Sequence, residues 1–254
     1  PKFMHYHPEC AILNNLEFDH ADIYSDLQAI QKQLHYFLKT IPPSGELLYT
    51  AEDKPIREVL SKGVFSHASG MSVISSEDAT WRAVLLDKAG YAFEILHHGK
   101  TVAKIEWSLM GEMNIQNALS AFAAGVYAGV EPVVAARALE QFQQTKRRLE
   151  VRLNSKNVKL YDDFAHHPTA IKKTLQTLQA SGEHQRVFVV LEFASHSMRM
   201  GVHGARIPDA LKTADGVYVL TQAQSLEQLP AQSISNTWHV FDAPQTLVKT
   251  LSDA

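Results

Sequence analysis

Tyr161-Asp162-Asp163-Phe164-Ala165-His166-His167-Pro168-Thr169 places two carboxylates, an aromatic ring and two imidazoles on one short segment. Groups of these types can do acid–base work or hold a metal, and acids ahead of a helix can simply cap it. The run follows the apolar stretch Val158 to Tyr161, which reads as a strand. Pro168 biases His167 away from helical angles, and Ala170 to Leu175 then resumes with helical spacing. A strand ending here would put the titratable groups at its C-terminal edge, where open α/β sheets bind ligands. The capping reading accounts for the aspartates without any ligand. It gives no reason for two adjacent histidines.

Other groups carry weaker signals. Glu17, Asp19, His20 and Asp22 share the loop that follows the apolar run Cys10 to Leu13, so four acid–base or metal-ligating groups are close in sequence. Magnesium accepts oxygen ligands with one imidazole, while a solvated acidic turn would need the same residues. Zinc spacing is absent around Cys10 and the other histidines. His5 and His7 are expected to alternate along a strand and share a face. Asn114 and Asn117, three apart at a helix start, can read a base or cap the helix. Arg147-Arg148 can clamp a phosphate or be a solvated basic pair. Gly99-Lys100-Thr101 is not a phosphate loop, because Glu94 stands where the motif needs glycine and the flanks alternate like strands. No G-x-G-x-x-G and no G-x-S-x-G occurs in these residues.

The elements that must position these groups follow from periodicity. Strands are expected at Cys10–Leu13, Glu46–Thr50, Trp81–Leu86, Tyr91–Leu96 and Thr101–Trp107, with a hairpin turn at His97–Lys100. Helices are expected from Ser25 to Thr40, Ile56 to Leu60, Ile115 to Ala128 and Pro132 to Phe142. After the polar stretch Gln143–Lys146, a candidate linker, come a strand pair (Glu150–Leu153, Val158–Tyr161), a helix from Ala170 to Ala180 and a strand at Val187–Leu191. A helix at Ile207–Thr213 and a strand at Val217–Leu220 complete the pattern. Alternating strands and helices argue for a parallel sheet in this second half.

The 254 residues suffice for two domains, and 45% hydrophobic with 20% charged residues is an ordinary globular composition. A net charge of −3 removes the electrostatic case for nucleic acid. No apolar run approaches the roughly 20 residues that span a bilayer. A single cysteine excludes an internal disulfide and suits a reducing cytoplasm.

Taken in order, Asn14 to Asp22, Gly111 to Ala118, Arg147 to Glu150 and Asp162 to Thr169 resemble the Mur ligases, ATP-dependent amide-forming enzymes of bacterial cell-wall synthesis. The resemblance implies an α/β fold. Residues 1–145 would be the remainder of a central ATP-binding domain with a mixed sheet and helices, and residues 146–254 a Rossmann-like C-terminal domain. The likeness is greatest to the cytoplasmic recycling members, which join UDP-N-acetylmuramate to L-Ala-γ-D-Glu-meso-diaminopimelate. It rests there on Leu16 to Ile23, Tyr161 to Ala170 and Met198 to His203. Members that add L-alanine share the His-His-Pro motif, but their pattern has two arginines for the alanine carboxylate where Ser195 and Met198 stand here.

By resemblance, His20 ligates a magnesium ion beside the transferring phosphate, and Asn114 and Asn117 read the adenine of ATP. Arg148 contacts ATP phosphates, Asp163 holds the ribose, and His166, Ser195 and Arg199 lie on the side of the amino substrate. Several departures stand against this. The family's Gly-Lys-Thr-Thr phosphate loop and second metal-binding glutamate are not in these residues. Met113 replaces a histidine beside the adenine asparagines, and Leu34 stands where some relatives carry a carbamylated lysine. The final family strand and its glycine-rich turn are expected beyond Ala254.

Two readings of other classes remain: a metal-dependent hydrolase built on Asp162, Asp163, His166 and His167, and a binding module without chemistry. A polypeptide of these 254 residues alone is expected to release no ADP from ATP, which a coupled assay on the purified chain would check.

Overall fold

The structure, a computed structural model, describes residues 1–73, 79–221 and 238–252. The chain divides into two compact units, Pro1–Gln143 and Gln144–Ala254.

In the first unit, strand β2 (Glu46–Thr50) reads Glu-Leu-Leu-Tyr-Thr, with no polar alternation. Leu47 and Leu48 point to opposite faces and both are buried, as a central parallel strand requires. It pairs with β1 (Cys10–Leu13) and β3 (His67–Ser72), and β3 with β4 (Trp81–Leu85), all parallel. β5 (Ala92–His97) and β6 (Lys100–Glu106) extend the six-stranded sheet as antiparallel neighbours.

Helices α1 (Leu27–Leu38) and α2 (Lys54–Leu60) supply Phe37, Leu38, Ile56 and Val59 to the core around Leu47. Helices α3 (Glu112–Tyr127) and α4 (Pro132–Glu140) supply Ile115, Leu119, Phe122 and Ala136 to the core around Leu48, Met71, Phe93 and Ile105. Leu34 packs against the Leu47 core.

The β5–β6 hairpin turns on His98 and Gly99, at φ 48° and 76°. Both central residues are left-handed, as a two-residue turn matching strand twist demands. The Gly-Lys-Thr run is a turn entering a strand, not a phosphate loop.

The connection from β4 to β5 is closed by Asp87. Its carboxylate accepts from the N–H groups of Ala89 and Gly90, each at 2.9 Å, and of Ala92 at 2.6 Å. Burial alone would raise this carboxyl. The backbone donors of Ala92, Tyr91, Gly90 and Ala89 together outweigh it and hold the group below its ordinary range.

In the second unit β9 (Phe188–Glu192), β10 (Gly216–Leu220) and β11 (Trp238–Phe241) form a parallel sheet in the order β11-β10-β9. Between β9 and β10 lie α6 (His196–Arg199) and α7 (Ile207–Leu211), and α8 (Pro244–Ser252) follows β11. Leu191, Val217 and Val219 of the sheet pack with Ile171 and Leu175 of α5 (Pro168–Ser181) and with Met198, Ile207 and Leu211. The pattern expected for this half is present, with α6, β11 and α8 added.

Two expectations fail. The strand before the Asp-Asp-Phe motif, β8 (Lys159–Asp162), pairs antiparallel with β7 (Glu150–Asn154) in a separate two-stranded ribbon. It does not join the parallel sheet, so the motif lies at the end of a hairpin and not at that sheet's edge. The physical reason is local: the connection through Asn157 is short enough to fold the chain straight back. Ser155 N–H closes it on the Val158 carbonyl at 2.9 Å. His5 and His7 are not on a strand. Lys2–His5 is a 3-10 turn and His7 has φ 42°. The ladder with β2 begins only at Cys10, so no neighbour holds residues 5–7 extended.

Asp87→Ala is expected to cost the first unit about 1–3 kcal/mol by stranding buried backbone donors. Because the folded carboxyl is held low, its contribution is complete above the ordinary aspartate pKa, about 4, and is lost as pH falls through the lower folded value. Urea melts from pH 6 to pH 3 should therefore show a shallower acid-side decline in the variant than in the parent.

Candidate active site

The C-terminal ends of β1, β2 and β3 share one edge of the first unit's sheet, because these strands are parallel and adjacent. At that edge Asn14 is the hub. Its Nδ2 donates to Asn117 Oδ1 at 3.2 Å, and its Oδ1 accepts from the Ser120 hydroxyl at 2.6 Å. Its carbonyl accepts from Thr50 Oγ1 at 2.6 Å, and Thr50 Oγ1 accepts from Gln116 Nε2 at 3.2 Å. Ser120, on α3, is 2% exposed. Ser72 donates to the Glu52 carboxylate at the end of β3. One polar relay thus ties the ends of β1 and β2 to the first turns of α3.

Helix α3 starts at Glu112, earlier than its apolar period suggests, with Gly111 at φ 91° before it. Asn114 therefore sits in the first turn, and its Nδ2 donates back to the Met110 carbonyl at 2.8 Å. Asn117, one turn on, faces Asn14. Asn114 does not cap α3, whose N-cap is Gly111 without a side-chain bond; its amide donates to a carbonyl, while Asn117 joins the relay.

The loop bearing His20 is fixed by Asp53. Its Oδ1 accepts from Ile56 N–H at 2.9 Å, capping α2, and its Oδ2 reaches across to Leu16 N–H at 3.1 Å. His20 itself is left-handed, φ 55°, and its carbonyl accepts from Ile23 and Tyr24 N–H while Asp19 Oδ1 takes its N–H at 2.8 Å. Glu17, Asp19 and His20 line an open pocket of about 1200 Å³ with Lys32, Ile23 and Tyr24. Asp22 is not on that wall. Among the described residues no three His, Cys, Asp or Glu side chains converge as a metal-binding group.

In the second unit Asp163 plays the part Asp53 plays in the first. Its Oδ1 accepts from Ala165 N–H at 2.7 Å, and its Oδ2 from Leu149 N–H at 3.1 Å and Thr174 Oγ1 at 3.4 Å. His167 caps α5, with Nδ1 accepting from Thr169 N–H at 3.3 Å, and its ring meets His203 edge-on at 4.6 Å. Pro168 opens the helix and Gly182, at φ 67°, ends it, the expected asymmetry. His166 Nδ1 lies 2.9 Å from the Phe164 carbonyl.

The four groups of a hydrolase-type ligand set are thereby dispersed. Asp162 faces Arg147 at 3.7 Å, Asp163 binds backbone, His166 turns to a carbonyl and His167 to a helix end. This geometry gives no common centre for a metal.

Ser195 caps α6, with Oγ accepting from Met198 N–H at 3.3 Å, and Arg199 is exposed in the helix's last turn. Met198 is 1% exposed and packs in the core with Leu191 and Leu211. An arginine there would bury a guanidinium, so in this chain position 198 serves packing.

Sequence reasoning missed Thr50, Asp53, Gln116, Ser120 and His203. Asp53 before Pro55 carries a helix-start signal. Thr50 and Ser120 carry none, since their partners lie far away along the chain.

A family model for the Mur ligase middle domain matches residues 2–125, and one for the Mur ligase glutamate ligase domain matches residues 147–254. The chain belongs to the Mur ligases. Within this family it is 42% identical to the UDP-N-acetylmuramate–L-alanyl-γ-D-glutamyl-meso-2,6-diaminoheptandioate ligase of Haemophilus influenzae, over 88% of this chain and 49% of that protein. It is 30% identical to the UDP-N-acetylmuramate–L-alanine ligase of Caldicellulosiruptor bescii, over 85% of this chain and 47% of that protein. The crystal structure of a murein peptide ligase from Psychrobacter arcticus matches with TM-score 0.71 and 32% identity, covering 98% of this chain and 53% of that one. The chain spans about half the length of the curated relatives it matches. Among the described residues of this Mur ligase chain, no helix is long and apolar enough to cross a membrane.

Asp163→Ala should release the segment around Leu149 and lower the second unit's stability by about 1–3 kcal/mol. Amide hydrogen exchange at Leu149 and Ala165 is expected to quicken together, while Ile171 N–H within α5 stays protected.

Proposed function

We propose that the complete protein is an ATP-dependent ligase of peptidoglycan recycling, joining UDP-N-acetylmuramate to L-Ala-γ-D-Glu-meso-diaminopimelate. Residues 1–145 form its middle, ATP-binding domain and residues 146–254 its C-terminal domain. One observation carries the substrate choice: the relative named for the tripeptide is markedly more similar than the one named for alanine, over much the same stretch of chain. Because ATP is spent, the reaction belongs in the bacterial cytoplasm.

The chemistry sets what the residues must do. A carboxylate is a poor electrophile, so the muramoyl carboxylate attacks the γ-phosphorus of ATP, giving an acyl phosphate and ADP. The peptide α-amine attacks the acyl carbon, loses a proton, and the tetrahedral adduct expels phosphate to leave the amide. Positioning and offsetting of phosphate charge dominate such catalysis.

In this reading His20 would hold a magnesium ion, and the ion would supply charge neutralisation at the transferring phosphate. Glu17 and Asp19 line the same pocket wall, but the three side chains do not converge as a ligand set of their own. Asn114 and Asn117 meet the adenine from the side of α3 that faces the strand ends. Arg148 binds phosphate oxygens. Asp163, whose oxygens keep lone pairs beyond their backbone donors, takes the ribose hydroxyls. His166, Ser195 and Arg199 lie toward the peptide substrate.

Assaying the complete enzyme with UDP-N-acetylmuramate, ATP and magnesium, phosphate release should be much faster with the tripeptide than with L-alanine. A preference for alanine would overturn the substrate assignment. His20→Ala is expected to lower kcat on the order of 100-fold with an unchanged circular dichroism spectrum.

A further inference from the structure

We propose that Phe164 is a positioning residue whose ring gathers the Arg147 and Arg148 guanidiniums into one anion-facing patch. The inference rests on the reading above that Arg148 contacts ATP phosphates, and it adds how a residue without polar atoms serves that contact.

The backbone around the pair is unusual. Arg147 and Leu149, on either side of Arg148, are both left-handed, at φ 59° and 49°. That conformation crowds Cβ against the carbonyl, and for a leucine it is an outlier that persists only when the surroundings over-determine it. Here they do. Phe164 N–H donates to the Arg147 carbonyl at 2.8 Å, Leu149 N–H to Asp163 Oδ2 at 3.1 Å, and Arg147 N–H to Glu150 Oε2 at 2.9 Å. Residues 147–149 are therefore stitched to residues 162–164 on both sides of Arg148.

The side chains repeat the stitching. The Phe164 ring centroid is 5.1 Å from Arg147 Cζ and 5.9 Å from Arg148 Cζ, both within cation–π reach. Two guanidiniums on one ring repel each other, and in water each would swing away. The ring supplies an attraction both can use, and Asp162, 3.7 Å from Arg147 Nε, offsets one of the two charges. Among the described residues Arg148 makes no ion pair, so its charge is the one left to meet a ligand. His166 packs edge-on against the same ring at 4.9 Å, so the ring also touches the residue assigned to the acceptor side.

Phe164 is 47% exposed, so it contributes little as core, and a purely structural ring would leave nucleotide parameters alone. In the complete enzyme Phe164→Leu, which keeps apolar bulk but has no π-face, should raise KM for ATP about three- to tenfold with a smaller change in kcat. Phe164→Tyr should restore the parent value. Arg148→Ala should also raise KM for ATP, and adding Phe164→Leu to it should have little further effect. Full additivity of the two, or an unchanged KM in Phe164→Leu alone while Arg148→Ala raises it, would overturn the proposal. If Arg148→Ala leaves KM for ATP unchanged, the phosphate reading of Arg148 falls instead. The ring-current shift of the Arg148 Nε–H proton then tests positioning alone: its loss in Phe164→Leu supports it, and its absence in the parent overturns it.

Discussion

Backbone N–H groups in loops and at helix starts have no ladder partner, and in this chain two aspartates accept from them. Asp53 and Asp163 do it in the same bidentate way. Each gives one oxygen to the start of its own following segment and the other to a distant loop, Leu16 for Asp53 and Leu149 for Asp163. Buried or half-buried donors without partners are costly, so each carboxylate fixes two pieces of chain at once. The loop with His20 and the loop with Arg148 take their shapes from these two side chains.

That arrangement removes a choice that residue types alone leave open. Acids ahead of a helix can be caps or ligands, and here the backbone role and the chemical role are not alternatives. A carboxylate held by N–H donors is fixed in place and aimed. Asn14 works likewise in the first unit. It spends its amide on Ser120 and Asn117 and so fixes the turn of α3 that faces the strand ends.

Much of the fold was readable from the chain. The apolar run of β2, the helical spacing of α1 and the alternation of β5 and β6 all became what their periods suggest, because each period matches the geometry of the surface it must bury. The four ordered motifs from Asn14 to Thr169 were sufficient for the family. Sheet membership was harder. Lys159–Asp162 pairs with Glu150–Asn154 as expected, yet the pair stays a separate ribbon and does not bring the motif to the parallel sheet's edge. His5 and His7 have strand-like spacing and no strand to pair with. Met198 resembles a substrate position in sequence and is core in space, because the turn of α6 rotates it inward while Ser195 and Arg199 stay outside.

The Asp-Asp-Phe-Ala-His-His-Pro run shows where the division falls. Residue types and order were enough for a helix after the motif, expected from Ala170 and found from Pro168, for the chemistry available and for the kinship with ligases, since these are local properties of dihedral restriction, charge and spacing. Which oxygen of Asp163 faces Leu149, which histidine caps the helix, and that one phenylalanine lies against two arginines came only with the tertiary structure. Such contacts join residues that are distant along the chain or packed by a turn, and the energy that selects them exists only once both partners are in place.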